Sequence, residues 1–600
     1  MIFAGFRGKW SNMEVLRIYF LLNIRKDPSS SLRLDWEKFI SQSHSYVLQV
    51  ENMSAPQQDR VPIILLKEGA TETKGKDARK NNIAAAKLIS QVIRSSLGPR
   101  GMDKMLVDST GDVTITNDGA TILKEIDIEH PIAKMLVEVA KSVDNEAGDG
   151  TKSVIVVAGS LIENAEELFD KGVHPTIVVE GYREASKKSI EFLKEISMEI
   201  DPKDKAFLNK IAVTTISSKL VTTNSELLSK LVIDAALRVA EESGENKFKI
   251  DLDDIKVEKK AGGSLQDSQL IQGIVLDKEV VHAGMPKRIQ GAKIALINSA
   301  LEIEKTEFDA KLNITSPDQM QKFLNQEERM LKSMVDSVVS SGANVVLCQK
   351  GIDDMAQHYL AKEGIVAVRR IKESDMAKLA KATGAKIVTN TDELSKDDIG
   401  HSDLIEERKV ETDKWVFIEG CKNPKSITIL IRGGSQRVVD EAERSIHDAL
   451  MVVKDTVEYP YVVVGGGAPE AVASKKLREW SASLASRQQL AVEKYADALE
   501  SIPMTLAENA GMSLVDAQAE LRTKSQVAGK PRFGVDVFKG KIVDLSSRDI
   551  YEPLSVKNQV INSGTEVACM ILRIDDIISA GAPKGAPTSP GAGGYGGMPE

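Results

Sequence analysis

The stretch DNEAGDGTKSVIVVAGSLIENA, residues 144–165, restricts the fold of this chain more than any other. Taken alone, SVIVVAG has the β-branched composition of a strand. Val154, Val157, Ala158, Leu161, Ile162, Ala165, Leu168 and Phe169 nevertheless recur at helical spacing, and period outweighs local propensity. The run predicts a helix opening near Thr151, behind a Gly-Asp-Gly-Thr loop. A helix start presents backbone N–H groups and the positive end of the helix dipole, and glycines allow close approach to the backbone. The loop therefore suits an anion such as phosphate. Asp149 would repel a bare phosphate but would hold a divalent cation bridging phosphate oxygens, because hard cations take carboxylate ligands. Gly-Asp-Gly before a helix is also an ordinary cap, so both readings stand at this point. The G-x-x-x-x-G-K-[ST] phosphate loop is absent, as is a G-x-G-x-x-G placed after a strand.

With 600 residues, the chain is long enough for about four domain-sized units or fewer interrupted ones. Its core material is aliphatic, since 42% of residues are hydrophobic but only 4% aromatic. A net charge of −9 gives no basic surface for nucleic acid, so no nucleic-acid partner is expected. Three cysteines and seven dispersed histidines form no metal-binding spacing and no disulfide framework, which fits a reducing interior. The apolar run LRIYFLLNI, residues 16–24, is short and interrupted by Arg17, so neither a membrane span nor a signal is expected. Residues 1–52 hold eight of the 26 aromatic residues, and MSAPQQDRVPIILLKEG from Met53 reads like a protein start. Residues 1–52 are therefore expected to be an atypical extension; the intact mass of the native protein would test this. Gly and Pro make up 11 of the last 20 residues, so 581–600 should be a disordered tail.

Along the rest of the chain, Ile83, Ala86, Ile89, Ile93 and Leu97 lie on one helical stripe that GPRG then stops, with Gly98 suited to a left-handed turn. KMLVDSTGDVTITNDGATIL follows with short alternating strands, and both Ser109-Thr110-Gly111 and Asn117-Asp118-Gly119 read as hairpin turns. On that reading Asp118 is a turn residue. From about 290 to 395, KIALINSALEI, ANVVLC, GIVAVRR and AKIVTN read as buried strands with helices between the later ones, a separate α/β domain. Ahead of ANVVLC, Ser316-Pro317-Asp318-Gln319 forms a capping box opening a long amphipathic helix. Its early apolar residues, Leu312, Ile314, Met320 and Phe323, are candidates for a projecting tip. SQRVVDEAERSIHDALMVVKDTVE is helical, with Asp440, Arg444 and Asp448 on its polar face, where solvated ion pairing is the default reading. Gly465-Gly466-Gly467 reads as a flexible element before an Ala-rich helix, and Pro553 as punctuation.

Taken together, LGPRGMDKMLVD, TITNDGATIL, GDGTK, GANVVLCQKGIDDMAQHYLAKEGIVAVRRI, CKNPKSITILIRGG, VVGGGAPEA and ENAGM resemble the archaeal group II chaperonins, the thermosome family, from about residue 60 to 577. The resemblance implies a multidomain α/β fold. It comprises a mainly helical equatorial ATP-binding domain built from both chain ends (53–202 and 465–580), an α/β intermediate hinge (203–271 and 427–464) and an inserted α/β apical domain with a helical lid (272–426). It also implies a cytoplasmic double ring of this chain, with paralogous subunits, that encloses non-native polypeptides and hydrolyses ATP with magnesium. Carried over by motif, Asp149 would ligate magnesium. Gly150 and Thr151 would donate to phosphate oxygens, and Leu97, Gly98 and Pro99 would shape the opposite wall. Asp448 would orient or deprotonate the attacking water with Asp118 in support, against the solvated and turn readings above. Lys219 would sense the γ-phosphate, and Gly466 with Glu552 would meet the nucleoside. Lys152 stands where many members carry a second threonine; it either neutralises phosphate charge or points to solvent. The competing reading is an ATP-regulated holdase or filament-forming scaffold with slow turnover.

Overall fold

The computed structural model describes residues 71–126, 128–217, 224–244, 247–303, 316–421, 426–484, 487–525 and 532–579. Residues Glu72–Ile578 form one compact unit, and Met1–Thr71 with Ser579–Glu600 a second, of which only Thr71 and Ser579 are described. The expectations for residues 1–52 and 581–600, and for Leu312, Ile314 and Lys219, thus lie outside the described residues. No helix among the described residues is long and apolar enough to cross a membrane.

Three large apolar clusters organise the compact unit. The first is helical and draws on both halves of the sequence, from Ile83 to Leu193 and from Val463 to Leu572. At its heart is the expected helix Thr151–Asp170, whose residues from Val154 to Ile162 are all buried, because small and β-branched side chains let neighbours pack on every side. Around it pack the helices Gly75–Arg94, Pro131–Ala147, Pro175–Ile196, Gln488–Asn509 and Leu554–Leu572. Tyr182 and Tyr495, both fully buried, meet edge-on with centroids 5.6 Å apart. Their hydroxyls are satisfied, Tyr182 Oη donating to Leu161 O (2.9 Å) and Tyr495 Oη lying 2.7 Å from Thr565 Oγ1.

The second cluster surrounds a three-stranded sheet in which Ile427–Gly433 pairs in parallel with Ile255–Ala261 and antiparallel with Gln269–Ile271. The helices Lys205–Ile216, Ser225–Val239 and Gln436–Glu458 cover it. The third cluster, from Ile274 to Ile418, is built on a seven-stranded sheet. Its strand Arg288–Ile297 pairs in parallel with Val345–Cys348 and with Ile387–Val388, Val345–Cys348 pairs in parallel with Val366–Val368, and Arg288–Ile297 pairs antiparallel with Gly400–Val410. The buried strands and intervening helices expected over 290–395 are therefore present. The chain is a multidomain α/β protein with a mainly helical part contributed by both ends.

The amphipathic helix runs Pro317–Ser341, with Ser316 Oγ accepting from Gln319 N (3.3 Å) and Pro317 in its first turn. Its later residues Leu331, Val335 and Val338 are buried, whereas Met320, Phe323 and Leu324 are exposed. The early turns thus project, as the pattern suggested.

Two local expectations are corrected. Ser109–Gly111 does turn a hairpin between Lys104–Val107 and Val113–Thr116, but Asn117-Asp118-Gly119 turns none. Asp118 is instead the N-cap of the helix Gly119–Glu125, its Oδ2 accepting from Thr121 N and Oγ1, both at 2.8 Å. Gly465-Gly466-Gly467 is pinned rather than flexible. Gly466 (φ 68°) and Gly467 (φ 77°) take left-handed backbone, and added Cβ atoms would stand 2.2 Å from Leu545 and 2.6 Å from Pro503.

Candidate functional site

Between the helical cluster and the helix Lys205–Ile216 lies a cleft of about 570 Å³. One end is built by the Gly-Asp-Gly-Thr loop. The helix Pro131–Ala147 ends in Gly148 (φ 65°), whose N–H donates to Asp144 O at 2.9 Å. Gly150 (φ 88°) then caps the helix Thr151–Asp170, whose internal ladder begins with Val154 N to Gly150 O (2.9 Å). Both glycines are required twice over. Their positive φ disfavours other residues, and added Cβ atoms would lie 2.2 Å from Met451 Cβ and 2.6 Å from Val560 Cγ2. Gly150 at the helix start and Lys152 and Ser153 in its first turn line the cleft, though Thr151 does not, so the positive end of the helix dipole borders it and attracts an anion. Asp149 and Gly150 line the cleft, with Gly150 N donating to Asp149 Oδ1 at 2.6 Å.

Leu97, Gly98 and Pro99 line the wall opposite. Gly98 has the expected positive φ (79°), three residues beyond the helix end at Ser95. Asn509, from the other half of the chain, fixes this wall by donating from Nδ2 to Arg94 O and Leu97 O, both at 2.9 Å. Lys152 is the tie between the segments. It is only 9% exposed, and its Nζ donates to Ser96 O (3.1 Å), Asn117 O (3.1 Å) and Asn117 Oδ1 (3.0 Å). The solvent-pointing reading of Lys152 is therefore wrong: three carbonyl dipoles replace water around its charge. Thr151 turns its hydroxyl toward Gly119, where an added Cβ would stand 2.9 Å from Oγ1.

At the far end, Gly466 and Glu552 line the cleft, and Gly466 N donates to Glu552 Oε1 at 3.3 Å. Antiparallel pairing of Tyr551–Pro553 with Tyr461–Val464 places them together. Lys557, which the sequence reading missed, lines the same end, buried between Glu470 Oε1 (2.8 Å) and Glu552 Oε2 (2.5 Å). Burial opposes its charge, but the two carboxylates more than offset it and hold the ammonium well above its ordinary pKa.

The two remaining acids stand behind the loop rather than among the lining residues. Asp118 is buried beside Gly119, against which Thr151 and Lys152 pack. Asp448 is 8% exposed, so the solvated setting expected for it is not found. The helix Gln436–Glu458 turns that residue toward the loop, and its carbonyl comes 3.4 Å from where a Gly148 Cβ would be. The Asp448 carboxylate, with Oδ1 3.8 Å from His447 Nδ1, raises the pKa of that imidazole.

Residues 89–582 match the sequence profile of the TCP-1/cpn60 chaperonin family. The chain is 56% identical to thermosome subunit alpha of Archaeoglobus fulgidus over 519 residues, 86% of this chain and 95% of that one. It is 55% identical to thermosome subunit beta of the same organism, over 90% of this chain and 98% of the relative. A thermosome subunit of Pyrococcus abyssi is 54% identical, over 86% and 94%. With a family match across most of its length and relatives above half identity over nearly their whole lengths, this chain belongs to the TCP-1/cpn60 chaperonin family, on its thermosome branch, and its function is that of a chaperonin subunit.

Proposed function

We propose that the cleft binds ATP with magnesium and hydrolyses it, and that the cycle closes a double-ring cage over non-native polypeptides. The observation that carries this is the Gly148–Thr151 loop, whose two positive-φ glycines deliver a helix start into the cleft beside Asp149. A carboxylate at the positive end of a helix suits a hard cation shared with phosphate, so the residues present fit magnesium. When bound, magnesium neutralises phosphate charge and lowers the cost of charge transfer to the leaving group.

The chain's own groups take the remaining roles. The Thr151 amide, and the Gly150 amide once it exchanges Asp149 Oδ1 for a phosphate oxygen, hold the phosphate, Leu97, Gly98 and Pro99 confine it, and Lys152 braces the two walls. Gly466, Glu552 and Lys557 receive the nucleoside end. By resemblance, Asp448 orients or deprotonates the attacking water and Asp118 supports it. By resemblance, Lys219 senses the γ-phosphate. The partition of the apolar clusters supports equatorial (53–202, 465–580), intermediate (203–271, 427–464) and apical (272–426) domains, with the projecting helix as lid. A double ring of this chain, with paralogous subunits, supplies the cavity.

Isothermal titration of the assembled protein with a non-hydrolysable ATP analogue tests the site. Binding should require magnesium and fall at least ten-fold in Gly150→Ala; unchanged binding in that variant would place the nucleotide elsewhere.

A further inference from the structure

The rim of the cleft carries a contact that none of the roles above uses. Lys210, on the helix Lys205–Ile216, and Asp549, which ends the short turn Leu545–Arg548, both line the cleft, with Nζ 2.9 Å from Oδ1. Beside them the rings of Phe207 and Tyr551 pack at 4.8 Å, and Lys210 Nζ lies 5.6 Å from the Phe207 centroid. Phe207 and Lys210 come from the helix covering the three-stranded sheet. Asp549 and Tyr551 lead directly into the strand carrying Glu552. We propose that Lys210 and Asp549 form a latch across the rim that retains the bound nucleoside diphosphate, so that breaking this ion pair sets the rate of product release.

The latch rests on the nucleotide reading of the cleft. Its logic is mechanical: a contact bridging the two walls must break whenever the walls separate. Asp549 is held for this task in a left-handed conformation (φ 57°) that aspartate tolerates better than most residues, its N–H turned back on Ser546 O at 3.3 Å. Ile550 O, next in sequence, accepts from Gly465 N (3.1 Å), and Glu552 follows two residues later, so a shift of Asp549 is transmitted to the nucleoside end. The pair is part-exposed, with side chains 36% and 57% accessible, so its effect is modest and screened by salt.

Release of a fluorescent ADP analogue, mant-ADP, from the assembled protein tests this by stopped flow. Lys210→Gln and Asp549→Asn should each speed release about 2–5-fold, as expected for loss of an exposed ion pair. Asparagine also tolerates positive φ, so that variant keeps the backbone. The double variant should release no faster than either single one, and added salt should speed release more in the unaltered protein than in Lys210→Gln. If Asp549→Asn instead slows release while Lys210→Gln speeds it, Lys210 grips the diphosphate directly and the latch is wrong. Unchanged release in both variants, with mant-ADP still bound, overturns the latch alone. Failure of the unaltered protein to bind mant-ADP brings down the nucleotide reading and the latch with it.

Discussion

At Lys152 the chain buries an ammonium whose three acceptors belong to the segments just before Leu97 and just before Asp118. Replacing it with methionine keeps the packing but leaves those carbonyls without a donor, which should cost about 1–3 kcal/mol. Thermal unfolding of Lys152→Met checks this, and nucleotide affinity should fall with it because the walls lose their brace. Gly150→Ala meets both an unfavourable φ and Val560, so it should be destabilised as well as weakened in binding. What the sequence told about these residues divides by range. The glycines, Asp149 and the cap were legible because their constraint is local, a turn feeding a helix. The lysine's partners are 56 and 35 residues away and Lys557's carboxylates come from two different elements, so no spacing rule encodes them. Asn509 sits in the quoted ENAGM motif, yet only the fold shows it bonding a wall more than 400 residues earlier.

Among the elements, the helix Thr151–Asp170 carries the greatest packing demand. Leu161 is fully buried on it, so Leu161→Ala should cost about 2–5 kcal/mol, read as a lowered unfolding midpoint. Helix Gln436–Glu458 offers a pH test at its contact with Leu554–Leu572. Burial pushes the Asp455 carboxyl up to about 6 from an ordinary 3.8, despite the Ser555 hydroxyl 3.1 Å away. The folded state thus holds that proton more tightly than the unfolded chain. Asp455 should therefore reduce stability progressively as pH rises from about 4 to about 6, and the reduction should persist above. Asp455→Asn should unfold at a higher temperature than the unaltered protein at pH 8, with the difference vanishing near pH 4. Element types were readable where apolar period was long, as in this helix and its neighbours. They failed at Asn117-Asp118-Gly119, where the same turn-favouring residues serve as a helix cap, and only the chain that follows decides between the two.

For the whole molecule, interruption is the main architectural fact: residues near both ends share one apolar cluster, and a sheet domain is inserted between them. Contacts between such distant segments leave no local signature, so the resemblance to known chaperonins, and not periodicity, brought the halves together. The same arrangement puts the cleft at a boundary between clusters, where a ligand that spans it can bias their relative movement. The central claim is that hydrolysis in this cleft drives a folding cycle. The most direct measurement compares steady-state ATP hydrolysis and refolding of a denatured client by the assembled protein and by Asp448→Ala in the same samples. The account predicts that the unaltered protein hydrolyses ATP and releases folded client, whereas Asp448→Ala binds ATP but loses at least a hundred-fold in turnover, roughly what removing a general base costs, and releases none. Equal refolding yields from the two would contradict it.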